Sequence, residues 1–186
     1  MGALIDRSVD LAGVHRLRMA CGQGLTARDV VVPGDISSAA FFLVAGSVTP
    51  GSELTLQRVG LNPTRTGVLD VLVRMGASNE VQDAQPVSGA PMGTLQAQSR
   101  GLKGTVIEGS EIRRLIEELP VIAVAAALAE GETLVRDAAE LRVKESDRIL
   151  ATVRFPRDMG VEADERPDGM VILGKGWGSE LRPATV

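Results

Sequence analysis

The sequence predicts an α/β fold built from two copies of one helix-and-sheet unit, and three observations carry that prediction. A shift of 80 residues lays one half of the chain on the other without gaps. Phe42 falls on Ile122, Val44 on Val124, Gly51 on Gly131, Leu61 on Leu141 and Leu69 on Ile149. After an insertion of four residues, Met75-Gly76 falls on Met159-Gly160. Second, Val121 to Ala129 is apolar all round, so the helix it forms has no face for water and must be buried. Third, aromatic residues make up only 2% of 186 residues, with no Tyr, so the core is packed from Ala, Val, Leu and Ile.

Each element follows from local pattern. Val14–Met19 and Ala27–Val32 read as short strands flanking a Gly22-Gln23-Gly24 turn. Asp35 is an N-cap for a helix over Ile36–Gly46. Glu53–Gln57 alternates as a strand does. Asn62-Pro63 opens a helix over Thr64–Met75, whose Val68, Leu69, Leu72 and Met75 share one face, and Gly76 stops it. Gln82–Gly93, rich in Gly, Pro and Ser, reads as a loop, followed by strands at Thr94–Gln98 and Thr105–Ile107. An apolar helix over Ile116–Ala129, a strand at Thr133–Arg136 and a helix over Lys144–Met159 come next, then strands near Val161 and at Met170–Leu173. Pro156 inside that last helix should kink or shorten it.

Composition excludes several classes of function. The net charge is −4 and the cations are scattered, which argues against a nucleic-acid or polybasic membrane surface. The longest apolar run, Leu119–Ala129, is too short to span a bilayer, and the N-terminus has no leader pattern. Cys21 stands alone, so no internal disulfide forms and a reducing, cytoplasmic setting fits. His15 is the only histidine, which leaves no zinc set.

Chemistry concentrates in Glu140-Leu-Arg-Val-Lys-Glu-Ser-Asp-Arg148, three cations and three acids in nine residues at a helix start. Four residues apart, Lys144 and Arg148 should project from one helix face and suit a phosphate or carboxylate, with Glu145 beside them to exchange protons. On charge pattern alone, a solvated, salt-bridged helix start explains the segment as well.

Four segments in order, Val32-Pro-Gly-Asp-Ile-Ser-Ser-Ala-Ala-Phe41, Leu61-Asn-Pro-Thr-Arg-Thr-Gly67, Glu118-Leu-Pro-Val-Ile-Ala-Val-Ala-Ala-Ala127 and Leu141-Arg-Val-Lys-Glu-Ser-Asp-Arg148, resemble the 5-enolpyruvylshikimate-3-phosphate (EPSP) synthases. The resemblance covers about Val14–Leu173. It implies the enolpyruvyl transferase fold, an inverse α/β barrel of two three-unit lobes. Here residues 1–33 would be the end of a preceding lobe and a crossover, and 34–186 a C-terminal lobe lacking its last unit. The implied reaction moves the enolpyruvyl group of phosphoenolpyruvate to the 5-hydroxyl of shikimate 3-phosphate, with no metal or organic cofactor. A complementing N-terminal lobe is the implied partner, and glyphosate an implied competitor near Arg148. By the resemblance, Lys144 meets the hydroxyls of shikimate 3-phosphate, Glu145 exchanges protons with the methylene carbon, and Arg148 grips the carboxylate of phosphoenolpyruvate. Arg142 and Asp147 support them, and Ser37-Ser38 is structural.

Glu117 departs from the family pattern, which has Asp where this chain reads Ile116-Glu-Glu118. By the resemblance, Glu117 is a weakened catalytic base, a retuned one, one methylene longer in either case, or simply a surface acid. Two other readings stay open at this point: a relative acting on UDP-N-acetylglucosamine, and a non-catalytic remnant that binds a phosphorylated ligand or another chain.

Overall fold

A computed structural model describes residues 2–184. The chain divides into two compact units, Met1–Val32 and Pro33–Val186.

The first unit is a hairpin. Strand β1 (Ile5–Val9) pairs antiparallel with β2 (His15–Met19), Ile5 opposite Met19. Asp10 builds the turn by accepting from the Ala12 and Val14 N–H groups at 3.0 Å. The expected strand at Ala27–Val32 is irregular instead, and β1 was not anticipated. The Gly22-Gln23-Gly24 segment does not turn the chain into a second strand. The Gln23 side chain is occupied in bonding both backbone groups of Leu4 and the Ala20 carbonyl.

The second unit holds the repeat. Its first copy contains α1 (Ile36–Val48), β3 (Glu53–Gly60), α2 (Gly67–Arg74), β4 (Ser78–Val87) and β5 (Ala90–Gln98). A two-residue strand, β6 (Val106–Ile107), leads into the second copy: α3 (Leu119–Ala127), β7 (Glu130–Val135), α4 (Arg148–Asp158), β8 (Glu162–Arg166) and β9 (Gly169–Lys175). The sheets run β3-β5-β4 and β6-β7-β9-β8, so in each copy the last strand inserts between the other two. The segment before each apolar helix also pairs in parallel with the strand after it: Gly34 with Val59, and β6 with β7. The halves share strand order, as the 80-residue shift requires.

Helices α1 and α3 pack side by side in one continuous core with Leu43, Leu72, Leu115, Ile122 and Ile149. Their repeat-related positions are not equally covered. Val121 and Ile122 are 5% and 1% exposed, whereas Phe41 and Phe42 are 62% and 58% exposed.

Asp35 caps α1, accepting from the Ser38 N–H and hydroxyl at 3.0 Å each. Partial burial pushes its carboxyl up, but the Ser38 N–H and hydroxyl, the Ser37 N–H and the Arg65 charge outweigh this and hold it below the usual range. A depressed folded-state pKa stabilises fully above the unfolded value of about 3.9 and is lost as pH falls through the folded value. Asp35→Ala should therefore cost about 1 kcal/mol at pH 7. In urea titrations the gap to the parent should close as the pH falls below about 4, and a pH-independent gap would contradict the assignment.

Three expectations need correction. Asn62 is not the cap of α2. Its Oδ1 accepts from the Thr64 N–H and hydroxyl in a local turn, and the helix begins at Gly67. The Gln82–Gly93 loop is in fact a hairpin. Ser88 and Gly89, at φ 51° and 85°, form its two-residue turn, the backbone geometry that fits the twist of paired strands. Pro156 does not shorten α4 at its C-terminal end. It lies buried in the last turn, where its missing N–H removes one bond, and the helix still stops at Met159-Gly160. Among the described residues no helix is long and apolar enough to cross a membrane.

Candidate active site

The residues singled out from the sequence meet around the starts of α3 and α4. Helix α4 begins at Arg148, with Asp147 as N-cap accepting from the Leu150 N–H at 3.0 Å. Lys144 and Glu145 therefore precede the helix, and Lys144 has extended backbone after a 3₁₀ turn over Ala139–Val143. The shared helix face expected for Lys144 and Arg148 does not exist. They converge on one carboxylate instead.

That carboxylate is Glu117. Its Oε2 accepts from Arg148 Nη1 at 2.5 Å, and its Oε1 lies 3.8 Å from Lys144 Nζ. Arg148 also donates through Nη2 and Nε to Glu145 Oε1, at 2.5 and 3.1 Å. Lys144 pairs with Glu140 at 2.9 Å. Charges thus alternate along Glu140, Lys144, Glu117, Arg148 and Glu145. The cations are half-buried, with side chains about a quarter exposed, while Glu145 stays open at 69%.

The charges set one another's titration. The Glu140 carboxylate, helped by Glu117, raises the Lys144 ammonium above its usual range against partial desolvation and Arg148. Glu145 and then Glu117 raise the Arg148 guanidinium. The Arg148 hydrogen bond holds Glu145 below the usual carboxylate range, so in this state Glu145 is ionised and can accept a proton but not give one.

Arg142 and Asp147 form the frame. Arg142 donates to Asp147 at 2.7 Å, Glu165 at 3.0 Å and the Pro167 and Arg166 carbonyls at 2.9 and 2.5 Å. It ties the start of α4 to the β8–β9 turn. Partial desolvation lowers its guanidinium, but Asp147 and Glu165 raise it further, and the Leu150 N–H and Arg142 hold Asp147 below its usual range.

Sequence reasoning missed four residues here. Glu140 could have been found from its i, i+4 spacing to Lys144. Arg65 and Glu118 line a hollow with Glu117, and Ser37 bonds to both Arg65 and Glu118. Arg65 Nη2 donates to Ser37 Oγ at 2.9 Å, and the Ser37 hydroxyl donates to Glu118 Oε1. A hollow of about 190 Å³ is lined by Arg65, Arg113, Glu117 and Glu118 among others. Two larger hollows, about 510 Å³ between α2 and the β4–β5 hairpin and about 630 Å³ along α4, are lined by none of Glu117, Lys144, Glu145 and Arg148. Among the described residues no group of three or more His, Cys, Asp or Glu could hold a metal ion.

The arrangement offers two cations to an oxyanion or carboxylate, flanked by carboxylates able to move protons. Comparison with known proteins identifies the family. The family pattern of EPSP synthase (3-phosphoshikimate 1-carboxyvinyltransferase) matches residues 1–186. The 3-phosphoshikimate 1-carboxyvinyltransferase of Desulforudis audaxviator is 51% identical over 173 residues, 93% of this chain and 39% of that protein. Its counterpart in Geobacter sulfurreducens is 57% identical over 155 residues, 83% of this chain and 36% of that protein. The solved EPSP synthase of Acinetobacter baumannii superposes with a TM-score of 0.84 at 40% identity, covering 91% of this chain and 38% of that one. The enolpyruvyl transferase NikO of Streptomyces tendae, at 17% identity and a TM-score of 0.58, shares the fold. The chain thus spans less than two fifths of the length of these relatives. With the family pattern matching its whole length and relatives half identical over most of it, the chain belongs to the EPSP synthase family.

Proposed function

We propose that this chain supplies the C-terminal-lobe part of an enzyme that transfers the enolpyruvyl group of phosphoenolpyruvate to the 5-hydroxyl of shikimate 3-phosphate in the cytoplasm. Residues 1–33 are read as the end of the preceding lobe and the crossover, and 34–186 as the lobe lacking its last unit. The observation that carries the reading is the convergence of Lys144 and Arg148 on Glu117, with Glu145 on the same guanidinium.

In this reading Glu117 takes the proton of the 5-hydroxyl as its oxygen attacks C2 of phosphoenolpyruvate. Glu145, once protonated, delivers a proton to the methylene carbon and takes one back as phosphate leaves. Lys144 holds shikimate 3-phosphate hydroxyls, and Arg148 holds the phosphoenolpyruvate carboxylate. The network supports a coupling between binding and proton transfer. A ligand carboxylate that takes the Arg148 fork displaces Glu145 from it. The largest influence that holds the Glu145 carboxyl low, the Arg148 hydrogen bond, is then removed, which eases its protonation. Glyphosate, with similar anionic groups, would compete for the same fork.

Phosphate release from phosphoenolpyruvate and shikimate 3-phosphate tests the reading. The 186-residue chain alone should show none, because a site open to water loses most of its electrostatic strength. Supplied with a matching N-terminal lobe and the last unit, it should turn over. A reassembled, folded enzyme that releases no phosphate would remove the proposal, and robust turnover by the chain alone would remove the division of the site between segments.

A further inference from the structure

We propose that Arg65, Ser37 and Glu118 form a positioning relay that fixes the turn carrying Glu117, and so sets where the Glu117 carboxylate meets Arg148 and Lys144. The relay rests on the reading of Glu117 as a group that faces substrate. It assigns work to three residues outside the charge network, drawn from the start of α1, the loop before α2 and the turn before α3.

Glu118 occupies the N-cap position of α3, yet its side chain makes no capping hydrogen bond to that helix. It reaches instead to Ser37, in the first turn of α1, and is only 4% exposed. A carboxyl so deeply buried is kept where it is by its partner, because leaving the hydroxyl would strand it without water. The direction of the bond is settled by Arg65. A guanidinium can only donate, so the Arg65 contact at 2.9 Å uses a lone pair of Ser37 Oγ and leaves the hydroxyl proton for Glu118. The backbone of Glu118 is held as well, its N–H on the Leu115 carbonyl and its carbonyl on the Ile122 N–H, both at 2.9 Å. Glu117 is the next residue along, one peptide unit away. Holding Glu118 at side chain and backbone leaves Glu117 little freedom except its own rotamers. The repeat offers a reason for the meeting: the 80-residue shift places Ser37 on Glu117 and Ser38 on Glu118, so the relay joins the starts of two related helices.

The test uses the whole chain and the reassembled enzyme. Amide hydrogen exchange at Glu118 and Ile122, whose N–H groups close the turn, should quicken about tenfold in Ser37→Ala, while amides of α4 and β7 keep parent rates. Ser37→Thr, which retains the hydroxyl, should restore parent exchange. In the reassembled enzyme, Ser37→Ala should lower kcat about tenfold with both KM values within about twofold, and Ser37→Thr should recover it. Exchange at the two amides within twofold of the parent overturns the relay, as does a uniform rise across the chain. Quickened exchange with unchanged kcat overturns its positioning role. A reassembled parent without turnover removes the transferase reading instead, and the exchange result still decides whether the relay holds the turn.

Discussion

In the reassembled enzyme, Glu117→Gln should abolish measurable turnover, a loss on the order of 10²–10⁴-fold, while substrate binding changes little. Glutamine keeps the length and one acceptor oxygen, so the turn before α3 should stay in place. It cannot take a proton, and that is the property the reaction needs. Lys144 and Arg148 retain Glu140 and Glu145 as partners, so both remain positioned to hold ligand anions. Glu117→Asp should retain or raise activity, because it restores the reach the family pattern has at this position. Rates of phosphate release under saturating substrates separate the outcomes. If Glu117→Gln matches the parent, Glu117 is a surface acid that happens to pair with Arg148. If Glu117→Asp is as inactive as Glu117→Gln, the longer side chain is a retuned base that the surrounding residues require.

The second large effect lies in the packing of β9 against the end of α3. A Cβ on Gly174 would stand 2.1 Å from the Ala129 carbonyl oxygen and 2.3 Å from that of Ala126, both rigid backbone atoms. Gly174 pairs with Gly131 across the sheet, and Ala129 also accepts from the Gly176 N–H at 3.0 Å. Neither side can move without pulling strand from helix. Gly174→Ala should cost about 3 kcal/mol or more, lowering the melting temperature by roughly 10 °C. Gly46→Ala should do the reverse. That glycine lies in helix α1, where a new Cβ meets Leu54 and Ala97 at 3.4 and 3.5 Å, ordinary contacts, and alanine gains roughly 0.5–1 kcal/mol of helix preference. Thermal unfolding followed by circular dichroism distinguishes them. Equal melting temperatures for parent and Gly174→Ala would mean that β9 does not approach α3 this closely.

The repeat was legible because it is written in residues that packing constrains: apolar helix positions, Gly51 and Gly131 at positive φ, and the Met-Gly stops. Elements whose signals local detail obscures were not. The β4–β5 hairpin looked like a loop because its turn residues and Pro86 and Pro91, which face each other across the ladder, suggested irregular chain. A register shift between Gln82 and Gln85, with Asp83 at φ 51°, also breaks the alternation that marks a strand. At the site, the residue types were readable and their geometry was not. Lys144 looked helical because it lies four residues before Arg148, but the Asp147 cap starts the helix after it. The Ser37–Glu118 contact joins segments 81 residues apart, which no local pattern reports. The shift that aligns Ser37 with Glu117 was its one trace in the sequence.

The uncovered phenylalanines of α1 bear on how the chain behaves at high concentration. Phe41 and Phe42 expose two adjacent aromatic side chains on a chain whose net charge is only −4 at pH 7 and whose isoelectric point is near 5.1. Between those pH values the mutual repulsion that keeps molecules apart fades, while attraction between apolar surfaces does not. Sulfate and other excluded salts strengthen that attraction as they screen the remaining charge. Acid towards the isoelectric point and added salt should therefore act in the same direction on the isolated chain, and light scattering should be lowest in a dilute, mildly alkaline buffer.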